Sequence, residues 1–299
     1  MSELSVSVIL PCYNGEATIS EQLDALCRQA FDEPWELVVV NNGSTDRSMA
    51  IVDGYRSRLP LRIVDAHDGV GARLPVDHSY RTGFAAAKGA AFILCEADDI
   101  VGDNWLAAMA EALTKHLFVA AALDYRHLNR PEQIGAETQS RESGLLTSAF
   151  PLFIPSSIGC AIGLQRVVYE RIGGPEPECG ASWDIDYSWK AQKAGFALHF
   201  VPNAVVHYRL REHLSAQFRQ ALNWGGTQGC LVRKYAAPLS AYWVFRYVGS
   251  GVKRVLRSAV KGPAAMLKRD AKDRWVWEMG WSIGFLLGAR HLVGIRASR

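Results

Sequence analysis

Across residues 6–116 short apolar runs rich in β-branched residues alternate with stretches of helical periodicity. The runs lie at 6–10, 37–40, 61–64 and 92–95, and the helical stretches at 18–30, 46–58, 77–88 and 103–116. Near-continuous apolar strands separated by helices predict βαβ units and a parallel sheet covered on both faces. Ligands of such a sheet sit beyond the carboxyl ends of the strands. That directs attention to residues 11–14, 41–46, 65–71 and 96–99, which are polar, glycine-bearing or acidic. Residues 125–157 are polar, punctuated by Pro and Gly, and read as a long loop or lid. Regular pattern resumes at 159–164, then predicts a helix at 183–194, strands at 198–201 and 204–207, and a helix over 212–235. Beyond Pro238 the chain turns helical, aromatic and basic. The expected division is therefore 1–237, with halves 1–124 and 125–237, followed by a C-terminal helical region over 238–299.

Composition sharpens this picture in two places. The net charge of the 299 residues is only +3, which argues against a nucleic-acid footprint. It is unevenly spread: residues 246–299 hold 12 Lys and Arg against 3 Asp and Glu, a net +9, leaving −6 for residues 1–245. The six cysteines are scattered singly, without zinc-like spacing, and read as buried thiols of a reducing compartment. No eighteen uncharged apolar residues run together, and the N-terminus lacks the pattern of an export signal. The expected location is cytoplasmic.

Chemistry enters with Glu96 and Asp98, which stand two apart and so share a face of an extended segment. Hard oxygen ligands in this arrangement suit Mg²⁺ or Mn²⁺ shared with phosphates. A polar turn whose aspartates cap the next helix is the plainer alternative. Three ordered segments weigh against it: SVILPCYNGEATI (7–19), VVVNNGSTDRS (38–48) and RTGFAAAKGAAFILCEADD (81–99), followed by ASWDIDYSWKAQKAGFALHFVPNAVVHY (181–208). Together they resemble the family-2 glycosyltransferases of the GT-A fold over roughly residues 5–235. The resemblance implies an α/β, Rossmann-like, mostly parallel sheet flanked by helices, and transfer of a sugar from a nucleoside-diphosphate donor to a hydroxyl acceptor, with inversion.

Residue by residue, the resemblance assigns Pro11, Tyr13, Glu16 and Asn41 to the nucleoside, Arg81 to the diphosphate, Glu96 to the ribose and Asp98 to the metal. Asn41 replaces the family's usual Asp, so an uncharged carbonyl would face the base. Glu96 replaces the first acid of Asp-x-Asp. On the acceptor side Asp184 matches the family's general base, whose task is to take the proton of the attacking hydroxyl. Trp183 stands where the family has Glu, offering an indole to a sugar ring, and Asp186 completes the motif. His207 matches a residue that completes the metal or contacts the diphosphate. Gln220 to Trp224 resembles a Gln-x-x-Arg-Trp motif of processive synthases, with Asn223 for Arg; Trp224 is an acceptor-side candidate with a plainer reading as a core aromatic. A single-addition enzyme is expected. The departures at 41, 96 and 183 keep open a catalytically impaired scaffold, whereas a nucleotidyltransferase is disfavoured because residues 11–15 carry no Lys or Arg.

The tail supplies a further expectation. Residues 246–261 interleave Val248, Val252 and Val255 with Lys253, Arg254, Arg257 and Lys261 at helical spacing, and Trp275, Trp277, Trp281 and Phe285 follow. Such a basic amphipathic stretch fits the inner face of an anionic membrane or a packed helix.

Overall fold

The computed structural model describes residues 5–66, 73–134, 145–147, 152–236 and 240–292. Strand β1 (Val6–Cys12) leads to α1 (Ile19–Cys27), β2 (Trp35–Asn41), α2 (Ser48–Asp53), β3 (Leu61–Asp65), α3 (Val76–Ala86) and β4 (Ala91–Leu94). A short β5 (Ile100–Val101), α4 (Trp105–Lys115) and β6 (Phe118–Asp124) follow, then β7 (Ile162–Gln165), α5 (Arg166–Ile172), α6 (Trp183–Lys193) and β8 (Leu198–His207). These strands form one eight-stranded sheet in the order β3-β2-β1-β4-β7-β6-β8-β5. The first four are mutually parallel, β7 is antiparallel to both neighbours, β6 and β8 are parallel, and β5 closes the edge antiparallel to β8. All seven residues of β1 are buried, as the unbroken apolar run requires of a strand covered on both faces.

The two strands expected at 198–201 and 204–207 are one continuous strand. Its register against β6 jumps where Ala121 pairs with Val201 but Ala122 with Val205, leaving Pro202 to Ala204 as extra residues on β8. Proline has no N–H for a ladder, so an irregularity there is the natural accommodation. Of the long segment after Tyr125, the described parts hold a 3₁₀ turn at Pro131–Gln133 and a single bridge between Leu146 and Ser156. Residues 135–144 and 148–151 lie outside the described residues.

Three long helices follow: α7 (Leu214–Tyr235), α8 (Ala241–Met266) and α9 (Arg269–Leu287). Helices α7 and α9 touch backbone to backbone. A Cβ on Gly225 would lie 2.4 Å from the Trp281 carbonyl oxygen, one on Gly284 2.1 Å from that of Leu222, and one on Gly229 2.0 Å from that of Gly288. Any side chain at these positions collides with main chain, so the seam exists only because glycines face it. The helices on the two sides of the 237/238 division thus pack on each other.

Candidate active site

Helix α1 holds the acidic turn after β4. The Thr18 hydroxyl donates to the Ala97 carbonyl (2.9 Å), the Gln22 amide donates to the Glu96 carbonyl (3.1 Å), and the Gln22 side-chain oxygen accepts from Val101 N–H (2.9 Å). Gln22 is wholly buried, so these bonds are shielded from water and fix the backbone firmly. From the other side Arg209 donates through Nε to the Asp98 carbonyl (2.8 Å) and through its backbone N–H to Asp99 Oδ1 (2.9 Å). The carboxylates of Glu96, Asp98 and Asp99 converge, with ligand atoms within 4.8 Å of one another.

Their charges are poorly balanced. Arg211 pairs with Asp98 Oδ2 at 2.8 Å, and the Tyr80 hydroxyl donates to Glu96 Oε1 at 3.3 Å. Burial first, then the Asp98 charge, pushes the Glu96 carboxyl up to about 7; Arg211 and Tyr80 pull against this, and Asp184 adds to it. Asp99, 2% exposed, is pushed well above the carboxylate range by burial and then by Asp98 and Glu96. Like charges this close repel, and a bound cation would offset them. The donor set is all hard oxygen, which fits Mg²⁺ or Mn²⁺, and Asp98 with Glu96 are the accessible members. Asp99 faces inward against the Cys160 thiol.

This repulsion has a consequence for stability. Glu96 binds its proton more tightly folded than at its ordinary value of 4.5. Its stabilising effect is complete below that value and fades as pH rises toward about 7. In metal-free buffer Tm is therefore expected to fall across this window, with a shallower slope for Glu96→Gln. Parallel slopes for the two proteins in thermal melts would contradict the coupling.

On the donor side, β1 and β2 end side by side. Pro11 is buried opposite Val40. Tyr13 is 38% exposed, with the Arg73 guanidinium 5.3 Å from its ring centroid. Asn14 adopts a left-handed φ of 48°, where Asn is favoured among non-glycine residues, and accepts from Thr45 N–H at 2.8 Å. The Glu16 carboxylate is engaged by Arg47 N–H at 2.9 Å, so it braces the turn after β2. Asn41 accepts from Ser44 N–H (2.9 Å) through its carbonyl and donates to Asp65 Oδ1 (2.8 Å) through its amide. The expected carbonyl toward a base is thus already used by the turn, and the charge at this corner comes from exposed Asp65. Arg81, on α3, lies near Asp77 (3.6 Å) and His78 Nδ1 (3.3 Å).

The acceptor-side candidates separate. Asp184 is half-buried in the first turn of α6; its Oδ2 accepts from Gly159 N–H (3.3 Å) and Oδ1 from Ile185 N–H (2.8 Å). It is within electrostatic reach of Glu96. Trp183 corrects the expectation of a sugar-stacking face: it is 3% exposed, lies 4.7 Å from the Tyr80 ring, and fills the space that a side chain at 159 would need. Asp186 is corrected as well. It is 1% exposed and saturated by Lys234 Nζ (2.8 Å) and the Tyr235 hydroxyl (2.7 Å), a buried ion pair that anchors α7. His207 directs Nδ1 to Asp124 Oδ2 at 2.6 Å and groups with His127 rather than with Asp98. The β6–β8 register sets Asp124 beside it. Trp224 packs edge-on against Trp277, centroids 5.5 Å apart, within the α7–α9 pair.

The family described as glycosyl transferase family 2 matches residues 7–173, more than half of the chain. The chain belongs to glycosyl transferase family 2. Among curated relatives, the poly(ribitol-phosphate) beta-N-acetylglucosaminyltransferase TarS of Staphylococcus aureus is 30% identical over 114 residues, which cover 38% of this chain and 19% of TarS. The chain thus matches about a fifth of that relative's length. Among solved structures, the mannosyltransferase PcManGT of Pyrobaculum calidifontis, in complex with GDP-Man and Mn²⁺, aligns over 99% of this chain and 89% of its own, with a TM-score of 0.63 and 19% identity. Glucosyl-3-phosphoglycerate synthase of Mycobacterium tuberculosis, with Mn²⁺ and UDP, aligns over 79% of this chain and 82% of its own (TM-score 0.53, 18% identity). The fold of this family-2 member is therefore GT-A.

Thr18, Gln22, Asp65 and Arg211 are among the residues of the site that the sequence pattern did not single out. Gln22, on the first turn of α1, has a legible signal, since a Gln on the apolar face of a helix needs a buried partner; Thr18 stands at the N-terminal cap position of that helix. Asp65 stands at a strand end already marked for inspection, but its pairing with Asn41 depends on strand register. Arg211 lies four residues beyond His207, where no periodicity points back to Asp98.

Proposed function

We infer that the protein transfers a sugar from a nucleoside-diphosphate donor to a hydroxyl acceptor, a glycan or lipid-linked molecule, in one inverting displacement. The observation that carries this reading is the convergence of the Glu96, Asp98 and Asp99 carboxylates, with Tyr80 bridging from Glu96 to the Trp183 ring next to Asp184: acids suited to a cation and a further one suited to a proton. Asp184 takes the proton of the acceptor hydroxyl as its oxygen attacks the anomeric carbon. The bond from that carbon to the diphosphate breaks, and the electron pair leaves with the diphosphate. Asp98, with Glu96 beside it, would hold a divalent ion, which when bound would supply neutralisation of the departing charge. Tyr13 offers its ring to the base, Arg81 lies toward the diphosphate, and Asp65 supplies the carboxylate that Asn41 lacks. Trp224 packed on Trp277 and exposed Asn223 support single addition over processive synthesis.

Thermal-shift titration tests this. Nucleoside diphosphates with Mn²⁺ or Mg²⁺ are expected to raise Tm, because a ligand at about 100 times its Kd adds about 2.7 kcal/mol to the native state. Asp65→Asn should weaken the response to the preferred nucleotide. No shift with any nucleoside diphosphate in either metal would sink the donor assignment.

A further inference from the structure

Helix α8 has two faces of different character. Tyr247, Gly251, Ser258, Gly262 and Ala265 are buried, with Tyr247 stacked on Phe285 (4.1 Å) and Gly251 and Gly262 set against Leu286 and Trp275. On the opposite side Tyr242, Phe245, Leu256, Val260 and Leu267 are 58%, 79%, 62%, 82% and 88% exposed. At 3.6 residues per turn these, with Val252, fall in one row roughly 80° wide, running the length of the helix. Single exposed apolar side chains are ordinary, but a continuous row is a surface that awaits an occupant.

The charge pattern states which occupant. Between residues 241 and 268 there are six Lys and Arg and no Asp or Glu. Arg246, Lys253, Arg257, Lys261 and Lys268 flank one edge of the apolar row and are exposed. Two copies of this face would meet with like charges opposed, which disfavours self-association. No helix among the described residues is long and apolar enough to cross a membrane. An apolar row bordered by long cationic side chains matches the boundary between acyl chains and anionic headgroups, where the stems of Lys and Arg lie along the apolar layer and their charges reach the phosphates.

We propose that α8 is an interfacial helix that seats the enzyme on an anionic lipid surface, its apolar row facing the bilayer. Donor binding is not required for it, so the two readings fail separately.

The test is sedimentation of the full chain with vesicles of phosphatidylcholine alone or mixed with phosphatidylglycerol, at low and high salt. The wild type is expected to sediment with the anionic vesicles, and less so as salt rises. Phe245→Ser with Val260→Ser, both at solvent-facing positions, should lower the bound fraction about tenfold or more while Tm and nucleotide-induced stabilisation stay unchanged. Lys253→Glu with Arg257→Glu should remove the preference for anionic lipid. The proposal is overturned if the wild type ignores anionic vesicles, if the serine pair binds like wild type, or if those serines instead dissociate a dimer seen by light scattering.

Discussion

Asp98→Ala is expected to lower sugar-transfer turnover by about 10²-fold or more, because neutralising the leaving diphosphate is worth several kcal/mol and each 1.4 kcal/mol is about tenfold. The measurement is kcat for donor consumption with Mn²⁺ or Mg²⁺ at saturating concentration, alongside the EDTA-treated wild type. Both should fall together. Arg211 makes the comparison informative, since its guanidinium already rests on Asp98 Oδ2 at 2.8 Å. If EDTA leaves turnover intact while Asp98→Ala and Arg211→Ala each reduce it, charge neutralisation belongs to the arginine, and the metal assignment is wrong.

Asp184→Asn should depress transfer by about 10²–10⁴-fold with donor affinity nearly unchanged, the signature of a lost general base. Asparagine retains a carbonyl oxygen that accepts the Gly159 N–H now bound to Asp184, so folding should survive. Asp186→Asn is the contrasting variant. Its carboxylate is buried against Lys234 and Tyr235, and removing one partner of a buried ion pair strands the other charge. The expected loss is in Tm, with the chemical step little altered once the protein is folded. Equal damage to transfer from both substitutions, measured by single-turnover kinetics, would remove Asp184 from the role.

The parallel half of the sheet was legible because β1, β2 and β4 are buried on both faces and announce themselves as unbroken apolar runs. β6 was not. Its run Phe-Val-Ala-Ala-Ala-Leu-Asp carries three alanines, which have little intrinsic preference for a strand; it is one only because β7 and β8 flank it. At the site the same division holds. Acids at strand ends could be found from position alone, and Glu96 and Asp98 do lie together with Asp99 after β4. Trp183 and Asp186 could not be judged that way, since burial depends on what packs above a helix, here Tyr80 over one and Lys234 with Tyr235 over the other. Asn41 stands at the strand end where the pattern put it, but its bond to Asp65 is set by a register across two strands that no local pattern encodes.

The glycine seam between α7 and α9 gives the C-terminal helices a mechanical meaning. Where side chains interdigitate, one helix can roll or slide on another by exchanging rotamers. Here carbonyl oxygens lie against Cα atoms, and a shift of even one residue would drive a Cβ into the main chain. The joint has no compliant layer. Since α9 also carries α8 through Tyr247 on Phe285, and α7 is tied to α6 by Lys234 on Asp186, α8 is linked to the sheet through a series of packed helices whose central joint is rigid. A lipid surface that takes hold of that helix as proposed would therefore set the tilt and standoff of the acidic turn after β4, and so the distance at which an acceptor could be met.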